Sequence, residues 1–213
     1  IGTIFVFFGV ALAVAILSIG ETAGRFSNFV DKDQAELLSY TEMYAQGLQM
    51  GQALRNIQLE PENKKGFDNF SKASADFTKS FQTAQALAAN NAKSTESLQK
   101  IASLREKQRQ IQEKIVSLAA AKDLPTAREL TIAEETPAWR EIRQLIVDNI
   151  QSSHSMAAKS RSQVVNSAAH AQRLSVLLAV AAVVAGMLLS FFIVRRINRA
   201  LNDALGIAEL VAE

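Results

Sequence analysis

Leu174–Val194 reads LSVLLAVAAVVAGMLLSFFIV, twenty-one residues without a charge. At about 1.5 Å per residue such a run makes a helix of about 30 Å, the thickness of a bilayer's hydrocarbon core. A buried helix of a water-soluble protein would carry a polar stripe over that length, and this one has none. The stretch is therefore expected to be a transmembrane helix. Working outward, Arg195, Arg196 and Arg199 cluster just after it, and Arg173 stands alone just before it. By the positive-inside rule the C-terminal side is cytoplasmic.

A second apolar run lies at the start, Ile1–Gly20 (IGTIFVFFGVALAVAILSIG), also without a charge. A cleaved signal peptide is the competing reading. The run exceeds the roughly 7–15 residues of a signal peptide's apolar region, and Ser18-Ile19-Gly20 follows no clean small-x-small cleavage site. A retained anchor is expected, with a short cytoplasmic leader before Ile1. The expected organisation is then a first transmembrane helix at 1–20, an outer domain at 21–173, a second transmembrane helix at 174–194 and a cytoplasmic segment at 195–213. The chain is read as a multi-pass protein of a bacterial inner membrane, with 21–173 periplasmic.

The remaining composition fits an ordinary helical domain. The whole chain of 213 residues carries 23 Lys and Arg against 21 Asp and Glu, which argues against a nucleic-acid surface. Zero Cys excludes disulfides, thiolate metal sites and cysteine nucleophiles. Only 3 Pro and 9 Gly are too few for the turns of an all-β chain.

Residues 21–173 read as four helices. From Thr22 to Leu59 there is no Pro, and Leu37, Tyr40, Tyr44, Gly47, Gly51 and Leu54 recur at three-four spacing. One residue over, Leu38, Thr41, Ala45, Leu48, Gln52, Arg55 and Leu59 form a second stripe, so one face can serve the chain's own core and the other a partner copy. Glu60-Pro61-Glu62-Asn63 stops this helix. The next, from about Lys64 to Ala89, carries Phe67, Phe70, Ala73, Phe77, Phe81, Ala84 and Ala88, and Asn90-Asn91 breaks the run. Ser94-Thr95-Glu96-Ser97 offers a cap for the third helix. Its stripe is Leu98, Ile101, Leu104, Gln108, Ile111, Ile115 and Leu118. Its charged residues (Lys100, Arg105, Glu106, Lys107, Arg109, Glu113, Lys114) are read as a solvated face. After Asp123-Leu124-Pro125 comes a short amphipathic piece. Thr136-Pro137 then looks like an N-cap followed by a first-turn proline. The fourth helix carries Trp139, Ile142, Ile146, Ile150, Ser153, Met156, Ser160 and Val164, and runs without Pro or Gly into the second apolar run. The expected fold is all-α: an antiparallel up-down-up-down four-helix bundle flanked by two transmembrane helices.

No catalytic constellation stands out. His154 and His170 lie sixteen residues apart without carboxylates at ligand spacing and read as surface histidines. There is no glycine-rich phosphate loop and no nucleophile elbow. The chain is expected to be no enzyme, with no cofactor and no metal.

Specific stretches carry a resemblance. Tyr44-Ala-Gln-Gly-Leu-Gln-Met-Gly-Gln-Ala-Leu-Arg-Asn-Ile-Gln-Leu-Glu-Pro-Glu-Asn63 resembles the G-L-Q-x-G-Q-A-x-R-N-I-x-L-x-P-x-N stretch of bacterial methyl-accepting chemotaxis proteins with four-helix-bundle sensors. Thr136-Pro-Ala-Trp139 is similar to the start of that family's last sensor helix. Ile193-Val-Arg-Arg-Ile-Asn-Arg-Ala-Leu201, followed by Ala204–Ala212, resembles the first helix of a HAMP relay, with Ala200 where that relay usually has Pro. The resemblance spans the chain. It implies a homodimeric chemoreceptor sensor that detects a small solute and passes a conformational signal inward. The bundle pattern alone also fits the sensor of a histidine kinase or a diguanylate cyclase, or a structural membrane bundle that holds a partner protein.

Geometry suggests where a solute binds. The end of the first helix, the end of the third and the start of the fourth form the end away from the membrane. There lie Gln52, Arg55, Asn56, Arg128, Trp139, Arg140 and Arg143. Arginine grips carboxylates with two parallel donors, so an organic acid or amino acid is the expected ligand, bound directly or through a periplasmic binding protein. The plainer expectation is that these arginines pair with Glu60, Glu62, Glu134, Glu135 and Glu141, and that Trp139 caps the core.

Overall fold

The computed structural model describes residues 2–89 and 91–212, with the side chains of 2–8, 11 and 203–212 left aside. Ile1 of the first apolar run, Asn90 of the expected break and Glu213 lie outside the described residues. The chain is all-helical, with no strand among the described residues. In order it forms α1 (Gly2–Asn28), a π-helical turn (Phe29–Gln34), α2 (Ala35–Leu59), α3 (Lys64–Ala88), α4 (Ala92–Ala120), α5 (Leu124–Leu130), a second π turn (Thr131–Glu135) and α6 (Thr136–Ala212).

Contacts divide the chain into two units, Ser27–Arg161 and the pair Ile1–Phe26 with Ser162–Glu213. In the first unit, α2, α3, α4 and the start of α6 share one core of Tyr40, Met43, Met50, Phe77, Leu98, Ile101, Ile142 and Ile146. Below it Leu54, Ile115, Ala127 and Leu130 form a second cluster that seats α5. The seam of α2 runs Glu36, Tyr40, Met43, Gly47, Met50, Leu54 and Ile57, all buried, at strict four-three spacing. Expected seam residues Leu37, Tyr44 and Gly51 flank it and are half-buried. The second stripe, from Leu38 through Leu48, Gln52 and Arg55 to Leu59, is exposed throughout. On α3 the phenylalanine stripe faces the core as expected, with Ala73, Phe77, Ala84 and Ala88 buried.

Chain reversals follow their cap chemistry. Asn63 caps α3, its side chain accepting from the Lys65 amide at 3.1 Å. Asn91 caps α4 by accepting from the Ser94 amide at 3.3 Å. The cap therefore falls three residues before the expected Ser94, whose hydroxyl is buried against Glu36 instead. Asp123 caps α5, with Pro125 in its first turn. At the end of α4, Lys122 adopts φ 67°, the left-handed geometry that closes a helix C-terminus.

Thr136-Pro137 does not start a helix. Thr136 is helical (φ −63°, ψ −43°), and its amide bonds the carbonyl of Thr131 five residues back. The helix begins at Leu124 and passes through the π turn into α6. Proline lacks an amide hydrogen and crowds the carbonyl four residues back. A wider π turn just before Pro137 accommodates both defects.

The second unit is of another kind. Its part of α6 contains the one described helical run that is long and apolar enough to cross a membrane, with none of the apolar window buried. Leu177, Val180, Met187, Leu188, Phe191 and Phe192 are all more than half exposed. On α1, Leu12, Ile16, Leu17 and Ile19 are likewise exposed.

Candidate functional site

The residues expected to bind a solute lie on two helices, Gln52, Arg55 and Asn56 near the end of α2 and Trp139, Arg140 and Arg143 near the start of α6. Gln52, Arg55, Asn56, Arg140 and Arg143 are exposed, and among the described residues none makes a side-chain hydrogen bond or ion pair. Arg128 is exposed as well. The expected arginine–glutamate pairs do not form. Glu62 pairs with Lys122 at 2.8 Å, and Glu135 is buried elsewhere. Asn56 lines a polar recess of about 360 Å³ at the α2–α3 turn, with Asn63 and Asn69. Trp139 is half-buried on the core, and its ring occupies the space that a side chain at Gly47 would fill: a Cβ there would lie 1.8 Å from the ring. This socket sets the level of α6 against α2. Gly47 precedes Arg55 by eight residues, about 12 Å along the helix.

A polar cluster built on Arg105, expected on a solvated face, reaches into the core. The buried stripe of α4 is Leu98, Ile101, Gln108, Gln112, Ile115 and Ala119. Arg105 falls in the gap between Ile101 and Gln108, completing three-four spacing throughout. Its half-buried side chain turns inward and stacks over Phe77, 5.4 Å from the ring centre. Nη1 donates to Gln108 Oε1 at 3.2 Å and to Gln112 Oε1 at 2.7 Å. Nη2 donates to Met50 Sδ and Ser74 Oγ, both at 3.1 Å.

Because Arg105 takes both amide oxygens, the two amide nitrogens point the other way. Gln108 Nε2 and Gln112 Nε2 each donate to Glu135 Oε1 at 3.0 Å. The Gln108, Gln112 and Glu135 side chains are at most 5 % exposed. A cation and a carboxylate are thus joined through two parallel amides across the core. Burial draws Arg105 down to about 10, with the negative charge of Glu135 opposing the shift, and the guanidinium stays protonated at neutral pH. Glu135 is the last residue of the π turn that feeds α6. The same turn is tied to α2, where Gln58 Nε2 donates to Thr131 Oγ1 at 2.8 Å. The cluster therefore holds side chains of α2, α3 and α4 against the first residues of α6.

Beside Arg105 an open cleft of about 280 Å³ lies between α3 and α4, walled by Phe77, Phe81 and Ala102. Arg109, at its rim, is occupied by Glu106 (2.7 Å) and Glu113 on the exposed side of α4. At the other end of the unit, Glu36 is 4 % exposed and accepts from Ser94 Oγ at 3.2 Å. Burial pushes the Glu36 carboxyl above its usual range, against the pull of Ser94 and Lys32. Tyr40 Oη beside it is sealed and makes no hydrogen bond with the protein. Among the described residues no three His, Cys, Asp or Glu side chains gather as metal ligands.

Arg105 carried one signal that could have revealed it. Continuing the three-four spacing of Leu98 and Ile101 lands on Arg105, Gln108 and Gln112 before returning to Ile115. Gln108 is on the expected stripe, whereas a search for apolar residues alone steps over Arg105 and Gln112.

Comparison with protein families, curated proteins and solved structures finds no match for this chain.

Proposed function

We propose that the chain is the sensor module of a transmembrane chemoreceptor, which detects a small extracellular solute and relays a conformational signal inward to a HAMP domain. The observation that carries this reading is the single helix α6, 77 residues from Thr136 to Ala212. It bears in order a core-packing segment, an apolar stretch of bilayer length and a basic turn. The helix is unbroken through these parts, so it offers a displacement at its first turns a continuous path. Slides of about 1–2 Å are the usual currency of such relays. The solute shifts the balance only by its unequal affinity for the two packings.

In this reading α2, α3, α4 and α6 form an up-down bundle outside an inner bacterial membrane, and α1 and α6 supply two spans. Two copies pair along the exposed stripe of α2. The exposure of Leu38, Leu48 and Leu59 beside Gln52 and Arg55 supports that pairing, because a face of this kind is incomplete in one copy. The distal arginines would then meet their solute at the seam between copies.

The test is a chimera of residues 1–213 joined in register to the signalling half of a known chemoreceptor, expressed in motile cells without receptors of their own. A swimming response to at least one of a panel of organic acids, amino acids, amines and sugars is expected. Normal membrane insertion with no change in kinase output across the panel overturns the reading.

A further inference from the structure

Arg105 has two two-pronged edges, and the structure treats them differently. The Nη1 side is filled by two amide oxygens that lead on to Glu135. The Nη2 side meets only a hydroxyl and a thioether, and thioether sulfur is a weak acceptor. Nε–H has no acceptor among the described residues. It is also not sealed, since Tyr40 Oη is the one described side-chain polar atom both buried and unpaired. No carboxylate of the described residues lies in ion-pair contact with this guanidinium. A charge drawn into a core is ordinarily paired directly. Arg105 lines a cleft together with Phe77, Thr78, Phe81 and Ala102, and Glu106 and Arg109, which line it as well, pair with each other.

We infer that the α3–α4 cleft is a binding site for a small monocarboxylate with a flat or slender apolar body, its carboxylate on the Nε/Nη2 edge of Arg105 and its body between Phe77 and Phe81. A carboxylate there replaces the weak acceptors with a charged, two-pronged one. The volume, about 280 Å³, is just under the roughly 300–1,000 Å³ of pockets for drug-sized ligands, which suits a ligand of metabolite size. The site is complete in one copy of the chain, unlike the exposed α2 face. Arg105 shares its amide partners with Glu135, so a shift of the guanidinium toward the ligand bears on the π turn and the first turns of α6. The inference stands apart from the chemoreceptor reading: binding can persist in a chimera that gives no swimming response.

The experiment is a titration of the full chain in lipid discs with benzoate, phenylacetate and hexanoate. Ligand-observed NMR reports binding, and the emission of Trp139, the one tryptophan, reports the start of α6. Saturable binding of at least one acid with an emission shift is expected, and benzamide, which lacks the charge, binds at least about tenfold more weakly. Arg105→Lys keeps the charge but loses the fork and weakens binding by a similar factor. Ala102→Leu fills the cleft without touching the polar cluster and abolishes binding, deciding the matter if Arg105→Lys proves misfolded. Absence of saturable binding by all three acids, equal binding of benzamide, or undiminished binding by Ala102→Leu overturns the inference.

Discussion

Two polar clusters interrupt the core of the same helical unit, and they are built in opposite ways. Around Arg105, every buried polar atom of Gln108 and Gln112 that the charge needs has a partner, and the opposite charge of Glu135 stands at the far side of the two amides. Around Glu36, a buried carboxylate has one hydroxyl donor, and its neighbour Tyr40 Oη has no protein partner at all. A satisfied network fixes the register of the helices it joins; a half-satisfied one costs stability and specifies little. The first cluster should therefore resist removal of any member, and the second should tolerate it or gain.

The sharpest way to break this comparison is Glu135→Ala. It leaves two buried amide donors without acceptors, at about 1–3 kcal/mol each, and strips Arg105 of its balancing charge. A loss of roughly 3 kcal/mol is expected in thermal unfolding of the full chain in lipid discs, followed by circular dichroism. A loss no larger than the roughly 0.5 kcal/mol of an ordinary surface substitution would mean that the cluster is ornamental.

Between the two clusters the core is apolar and close-fitting, and Gly47 tests how rigid that middle is. A methyl at Gly47 would lie 1.8 Å from the Trp139 ring, so α2 and α6 must part. Gly47→Ala is expected to cost about 1–3 kcal/mol. Most of that should return in the double variant with Trp139→Leu. Gly51→Ala meets nothing within 4 Å and should be neutral or mildly stabilising, as helix propensity dictates. Equal effects at Gly47 and Gly51 would break the argument that this socket sets the level of α6.

How far these features were legible in the sequence follows from what each rests on. The phenylalanine stripe of α3 and the second stripe of α2 were readable because periodicity alone decides which residues share a face. Of the Arg105 cluster only Gln108 was, because Arg105 and Gln112 keep the three-four period while breaking the apolar pattern, and only tertiary contacts tell a buried arginine from a solvated one. Thr136-Pro137 misled for a different reason. Threonine before proline is a start signal only where the preceding chain is not helical, and the π turn from Thr131 keeps it helical. Of the expected ligand residues, Gln52, Arg55, Asn56, Arg140 and Arg143 are exposed. The level of α2 against the start of α6 depends on the Gly47–Trp139 socket, which a single sequence does not encode as a distance.

Tyr40→Phe probes the weaker cluster. The hydroxyl is buried without a partner, and burial first, then the charge of Glu36, lifts its pKa to about 12, so the proton is held throughout the working range. Removing the oxygen should stabilise the unit by up to about 1 kcal/mol. A loss of more than that amount would reveal a role for this oxygen and erase the contrast with the Arg105 cluster.

The smallest effect is expected at Glu36, and its sign depends on pH. Burial raises the folded-state pKa above the ordinary 4.5. Between those two values the folded chain binds more protons than the unfolded chain, so its stability falls as pH rises through 4.5 and levels off above the raised pKa. Glu36→Gln removes that slope. The variant should match the parent at low pH, where Glu36 is protonated in both states, and exceed it above the raised pKa, when the two are compared across pH 4–8 by thermal unfolding. The opposite order at high pH would mean that the ionised carboxylate is held favourably by Ser94 and by the amides at the start of α4, and the two clusters would then obey one rule rather than two.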